Sequence, residues 1–175
     1  MPLPFAQALV AQLTKDGITP VLLGLDIARS TGVAILNSNG TFGYHTARFE
    51  NGSHPGDMFF AFRSFLNLTQ ETTGGIAHVF YEKKTFHRAG TSQAEIAFGM
   101  AGNLLSWCRL NDIPVTGIPN NTIKKHITGH GRADKPMMVE AVRQFGFDPK
   151  DHNAADAIAT LLVGMERLFY KPETL

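Results

Sequence analysis

Three carboxylates in this chain stand where an unpartnered charge is costly. Asp26 ends the apolar run Val21-Leu22-Leu23-Gly24-Leu25, and Glu82 ends a second, His78-Val79-Phe80-Tyr81. Asp156 sits early in the closing amphipathic stretch Asn153-Ala154-Ala155-Asp156-Ala157-Ile158-Ala159. A charged group on an otherwise buried strand must be paired, or bind a metal, to offset its desolvation. Taken singly, each has a plain structural explanation: Asp26 caps a turn, Glu82 pairs with Lys83 or Lys84, and Asp156 is a first-turn acid favoured by the helix dipole. Taken together, two strand-borne carboxylates and one at a helix start can converge on hard divalent cations such as Mg²⁺, which prefer oxygen ligands. Paired ions of that kind can clamp the attacking and leaving oxygens of a phosphodiester.

The elements that must deliver these residues follow from the pattern. Phe5, Leu9 and Leu13 recur every four residues, so Pro4–Lys15 is expected to be a short amphipathic helix laid on the domain. Strands are expected at Pro20–Ala28, at Gly32–Leu36 after an Arg29-Ser30-Thr31-Gly32 turn, and at Phe42–Phe49 after the hairpin signal Asn39-Gly40. Asp57 is placed as the cap of a helix with Phe59, Phe62, Phe65 and Leu66 on its apolar face, followed by a strand over Ala77–Glu82. Ser92 with Glu95 forms a capping-box pattern ahead of Ile96, Met100, Leu104 and Trp107. A short strand at Val115–Ile118 and a short helix at Asn121–Ile127 come next. Asp134 and Pro136 start a helix through Val139, Val142 and Phe145, and the last helix runs from Asn153 to about Tyr170. A meander of three strands followed by helix–strand units predicts an α/β domain, a mixed sheet covered by helices.

Composition narrows the function classes. At 175 residues and 43% hydrophobic, the chain suits one compact domain with a full core. The formal charge is only +1, but residues 81–150 carry ten Lys/Arg against six Asp/Glu, whereas 1–80 carry four against five. A basic middle between acidic site residues suits an enzyme that grips phosphates and holds metal. Cys108 is the single cysteine, which excludes an internal disulfide or a cysteine-cluster metal site; its place after Trp107 suggests core packing. No apolar run approaches the roughly 20 residues that span a bilayer, and the N-terminus lacks the basic region of a secretion signal. The cytoplasm, of a bacterium or a phage-infected host, is the expected compartment, with no membrane partner.

Four segments carry a family resemblance. Leu23-Gly24-Leu25-Asp26 with Ser30-Thr31-Gly32, Glu82 with Phe86 and the later run Gly99-Met100-Ala101-Gly102, Ile123 through Lys135 with its Thr128-Gly129 and Ala133-Asp134-Lys135, and Asn153-Ala154-Ala155-Asp156-Ala157 together resemble the RuvC family of Holliday junction resolvases, and more closely its phage-type branch. The likeness covers about residues 21 to 165 and implies a ribonuclease H-like fold with a five-stranded mixed sheet. It divides the chain into an N-terminal helical extension, 1–19, and a nuclease domain, 20–175. It also implies two Mg²⁺ ions per site, with Mn²⁺ able to substitute: Asp26 bridging both, Glu82 on one, and Asp156 with a neighbour on the other. The family pattern has Asp or His three residues before the last aspartate, and here Asn153 stands in that place. His152 is the favoured fourth ligand, since positions three and four before Asp156 share its helix face, with Asp151 and Asn153 as the alternatives.

The same resemblance assigns DNA contacts. Lys124, Lys125, Arg132 and Lys135 would hold backbone phosphates, with Gly129 and Gly131 letting the chain bend closely around one. Lys83, Lys84 and Arg88 are further DNA-binding candidates, and Phe86 among them would stack on an unpaired base at the junction centre. His87, His126 and His130 are further candidates for phosphate contact or proton transfer. The implied activity is metal-dependent endonucleolytic cleavage of four-way DNA junctions by a homodimer, whose two-fold axis matches the symmetry of the substrate, resolving recombination or branched replication intermediates. The alternatives are a nuclease for other branched DNA or structured RNA, a non-cleaving junction-binding module, and a phosphate-binding kinase half of the actin-like type. This last lacks a second Asp-x-Gly-Thr turn.

Overall fold

The structure, a computed structural model, describes residues 3–15, 17–54, 56–84 and 92–169. Five strands, β1 (Leu22–Asp26), β2 (Ser30–Leu36), β3 (Phe42–Arg48), β4 (His78–Lys83) and β5 (Val115–Pro119), form one sheet in the order β3-β2-β1-β4-β5. The first three make an antiparallel meander, and β4 and β5 add in parallel beyond β1. The helices are α1 (Leu3–Leu13), α2 (Asp57–Thr72), α3 (Ser92–Leu110), α4 (Asn120–Thr128), α5 (Lys135–Gln144) and α6 (His152–Phe169). This is the expected five-stranded mixed sheet flanked by helices.

Strand alternation explains the two-sided core. Leu22, Ala34, Leu36, Phe80 and Ile118 point to one face, where they meet Ile123 and Ile127 of α4, Met138 and Val142 of α5, and a long apolar face of α6. Leu23, Leu25, Val33 and Val79 point to the other, against Phe62 and Leu66 of α2 and Met100, Leu104 and Trp107 of α3. The indole N–H of Trp107 donates to Asn67 Oδ1 at 2.7 Å, tying α3 to α2. Cys108 lies buried on the same face, and burial pushes its thiol up to about 11. Ala6 and Leu9 of α1 are buried in the α6-side core.

Two local expectations are corrected, and the break at Gly129 is seen. β2 starts at Ser30 rather than Gly32, because the Thr31 hydroxyl donates to the Ala28 carbonyl at 2.5 Å and tightens the reversal into residues 27–29. Asp57 is the first residue of α2 and not its cap: Gly56 precedes it, and the Asp57 carboxylate accepts the His54 backbone N–H at 2.9 Å, closing the loop behind the helix. Gly129, at φ 80°, ends α4 with a left-handed residue whose N–H reaches the Lys125 carbonyl, so its conformational freedom serves the helix end.

Candidate active site

The sheet places two of the acids by alternation alone. Asp26 is in phase with Leu22 and Gly24, and Glu82 with Phe80, so both face α6. The parallel pairing of β1 with β4 runs to Leu25↔Tyr81, which sets the next residues, Asp26 and Glu82, side by side at the carboxyl ends of central strands. In open α/β sheets that is where ligands bind.

Asp156 arrives because α6 lies unusually close to the sheet, and glycines make the approach possible. A Cβ on Gly32, the residue paired with Asp26, would fall 1.8 Å from the Asn153 carbonyl oxygen. One on Gly24 would meet the Leu161 Cβ at 2.6 Å, and one on Gly164 would meet the Phe80 ring at 2.2 Å. With backbone against backbone, the first turns of α6 reach the acids of β1 and β4. Asp26, Glu82 and Asp156 then bring carboxylate oxygens within 4.8 Å of one another.

The electrostatics are those of a site short of positive charge. Burial, then the charges of Asp26 and Glu82, push the Asp156 carboxyl up to about 7. Burial and the Asp26 charge also raise Glu82, against the lowering effect of Lys84, of an Asn120 hydrogen bond and of Lys124. Lys84 sets its Nζ 2.7 Å from Asp26 Oδ1 and 4.0 Å from Glu82 Oε1. Burial would lower its pKa, but the Asp26 and Glu82 charges outweigh that and raise it. Three close carboxylates, Asp26 and Glu82 buried and Asp156 half-buried, offer only oxygen donors and fit a hard divalent cation.

A cavity of about 230 Å³ opens over the acids and is also walled by Lys124, Lys135, Asn120, His152 and Asn153. The Ala133-Asp134-Lys135 stretch works as a unit: Ala133 is buried in the core, Asp134 caps α5 by accepting the Met137 N–H at 2.9 Å, and Lys135 reaches the cavity. The three candidates for a fourth ligand separate. Asp151 Oδ1 accepts the Ala154 N–H at 2.9 Å and the Thr46 hydroxyl at 2.7 Å, as the N-cap of α6. Burial would raise its pKa, but these hydrogen bonds outweigh it and leave it lowered. His152 and Asn153 both line the cavity, and His152 Nε2 lies 2.9 Å from Lys135 Nζ.

Other expected residues are scattered. Lys83, Lys125, Arg132 and His130 are exposed, and His126 pairs with Glu166 of α6 away from the acids. Phe86, His87 and Arg88 lie outside the described residues. One cavity residue went unnoticed in the sequence, Asn120, which the pattern left just ahead of a helix; Lys84, weighed there as a partner of Glu82 or a DNA contact, lies closer to Asp26 than to Glu82. The position of Asn120 directly after a parallel strand was the available signal for it.

No family model matches the chain. Among curated proteins it is similar to the crossover junction endodeoxyribonuclease RuvC of Synechococcus sp. (strain CC9311), 36% identical over 86 residues, which is 47% of this chain and 52% of that protein. The RuvC of Wolbachia pipientis subsp. Culex pipiens (strain wPip) is 41% identical over 56 residues, 31% of this chain and 34% of that one. The chain thus spans about half the length, or less, of the curated RuvC sequences it matches. The fold likeness is wider. The solved Thermus thermophilus RuvC superimposes with a TM-score of 0.69 at 18% identity, covering 85% of this chain and 95% of that one. T. thermophilus RuvC in complex with a Holliday junction substrate gives a TM-score of 0.66 at 20% identity, with 82% and 91% covered. The ribonuclease H-like fold is shared with RuvC.

Proposed function

We propose that the chain is a divalent-metal-dependent endonuclease that cleaves four-way DNA junctions, of the phage-type RuvC branch. The carrying observation is the convergence of Asp26, Glu82 and Asp156 in a cavity also walled by Lys124 and Lys135. Mg²⁺, as two ions or with Mn²⁺ in their place, would be held by these carboxylates together with His152 or Asn153; when bound, it supplies polarisation of water and screening of phosphate charge. Lys124 and Lys135 steer a backbone phosphate over the acids, and the exposed Lys125 and Arg132 extend the grip. Residues 20–175 carry this unit, and residues 1–19 add a helix that lies on it. A homodimer provides two such sites for paired cuts, working in the cytoplasm on recombination or replication intermediates.

A second reading, a module that holds junctions without cutting them, draws on the neutral Asn153 and on the Lys135–His152 contact beside the acids. Incubation with a synthetic four-way junction and a matched linear duplex, with and without Mg²⁺, separates the two. Symmetric nicking of the junction alone, dependent on the ion, is expected. Binding with no cleavage of any branched DNA at any Mg²⁺ or Mn²⁺ concentration refutes the enzyme and favours the module. Equal cutting of both DNAs refutes junction selectivity.

A further inference from the structure

β4 closes with an acid, Glu82, an exposed base, Lys83, and then Lys84. Lys84 lies two residues beyond Glu82, so strand alternation sends it to the acid's own face. There its ammonium sits 2.7 Å from Asp26 Oδ1 and 4.0 Å from Glu82 Oε1, with 27% of its side chain exposed against 6% for Asp26. A lysine bound to phosphate would be expected to reach outward; this one reaches in.

Resting on the metal-site reading above, we propose that Lys84 is the resident cation of the acidic cluster and that a divalent ion binds by exchanging with it. The two cations would compete for the same carboxylates, because Lys84 lies against both Asp26 and Glu82, two of the three acids an ion would share. Charge gives the ammonium its purpose. Two buried carboxylates and a half-buried third drawn together oppose folding unless a positive group stands among them, and Lys84 provides one within the chain itself. The other two basic residues of the cavity do not take that place: Lys135 contacts His152, and no ion pair links Lys124 or Lys135 to the three acids among the described residues.

The backbone allows the exchange. Sheet pairing ends at Lys83↔Pro119, so Lys84 lies just past the last paired residue and its stem can swing without breaking a strand bond. A displaced ammonium is also a new base beside the cavity into which an anionic strand would come. Ion binding and DNA binding would therefore reinforce one another through this one side chain.

The test needs no DNA and no turnover. The full chain and its Lys84→Met variant are titrated with Mg²⁺ and Mn²⁺ by calorimetry, and Lys84 of the wild type is labelled with an amine-acylating reagent, read by mass spectrometry, with and without saturating ion. The exposed Lys150 serves as internal reference. Exchange predicts that Lys84→Met binds the ion about tenfold tighter or more, since no resident ammonium has to be displaced from Asp26 before the ion takes its place, and that Lys84 labels faster once the ion is bound. The conservative Lys84→Arg should stay at or below wild-type affinity. Ion binding to the wild type with Lys84 labelling unchanged, or a Lys84→Met variant that binds no tighter, overturns the exchange while leaving the metal site standing. If neither protein binds an ion, the metal-site reading fails and the exchange fails with it.

Discussion

Lys135 Nζ and His152 Nε2 lie 2.9 Å apart across the mouth of the acidic cavity. A lysine ammonium can only donate, so in this contact the imidazole Nε2 is the acceptor. The residue best placed by helix geometry to be a fourth ligand is thus already tied to a neighbouring helix, and Asn153 beside it is free of charge.

That relationship decides the comparison of three variants. With His152 as ligand, His152→Ala should lower the cleavage rate by about one to two orders of magnitude. Asp151→Asn should leave the rate nearly unchanged and cost stability by about 1 kcal/mol or less, because asparagine also caps helices. Asn153→Asp should hold or raise the rate. A His152→Ala enzyme as fast as wild type, alongside a faster Asn153→Asp, would transfer the role to position 153. Rates on a four-way junction at fixed Mg²⁺ give the answer.

Asp26→Asn should reduce cleavage by about three orders of magnitude, comparable with the loss of a key electrostatic group in other active sites. Junction affinity should be kept or rise slightly, since a negative charge near the phosphates is gone. Gel-shift binding beside a cleavage assay checks both, and near-wild-type cutting would show Asp26 to be structural.

Ion-free stability should depend on pH through Asp156. Its folded-state pKa of about 7 lies above its ordinary value of 3.8, so the folded chain holds a proton that the unfolded chain has released. Stability should then fall as pH rises from about 4 to about 7 and level off above, by a few kcal/mol at most. Glu82 is raised too and acts in the same direction, whereas Lys84 stays charged throughout and adds no slope there. Saturating Mg²⁺ should stabilise the protein more at pH 7.5 than at pH 5. Denaturant melts at both pH values, with and without chelator, measure this; a metal-free protein that gains stability across the window would falsify it.

Gly32→Ala should be among the more harmful single-methyl additions. The new carbon would overlap the Asn153 carbonyl oxygen at 1.8 Å, and backbone must move to admit it. A loss of about 1–3 kcal/mol is expected, together with weaker ion binding, because α6 carries Asp156. Thermal melts and a Mn²⁺ titration report the two effects separately, and an unaltered variant in both would show that α6 approaches the sheet differently.

Some of this was legible in the residues and some was not. Apolar runs ending in Asp26 and Glu82 announced strands that end at a site, since period-two alternation and burial are local properties. Asp134 could be read as a cap for the same reason, and its hydrogen bond to Met137 follows. Lys84 could not be placed, because Lys83 and Lys84 look alike until the strand's phase fixes which one turns inward. Nor could the division of labour among Asp151, His152 and Asn153 be read, since it depends on how closely α6 approaches strands distant in sequence. Asp57 was mistaken for a cap because its type suits that position equally well one residue away.

The glycine-lined seating of α6 on β1 and β2 also sets when the site comes into being. Asp26 and Asp156 belong to the earliest strand and the latest helix of the sequence, so they meet only through a contact of long sequence separation. The repulsion among the three acids is consequently absent from the early stages of folding and appears only as α6 closes on the sheet. An ion that needs all three carboxylates finds no complete site on a half-folded chain, and its binding energy is spent on the closing step alone. Added Mg²⁺ would then slow the opening of the finished domain far more than it would speed its formation, acting as a latch on the last door to shut.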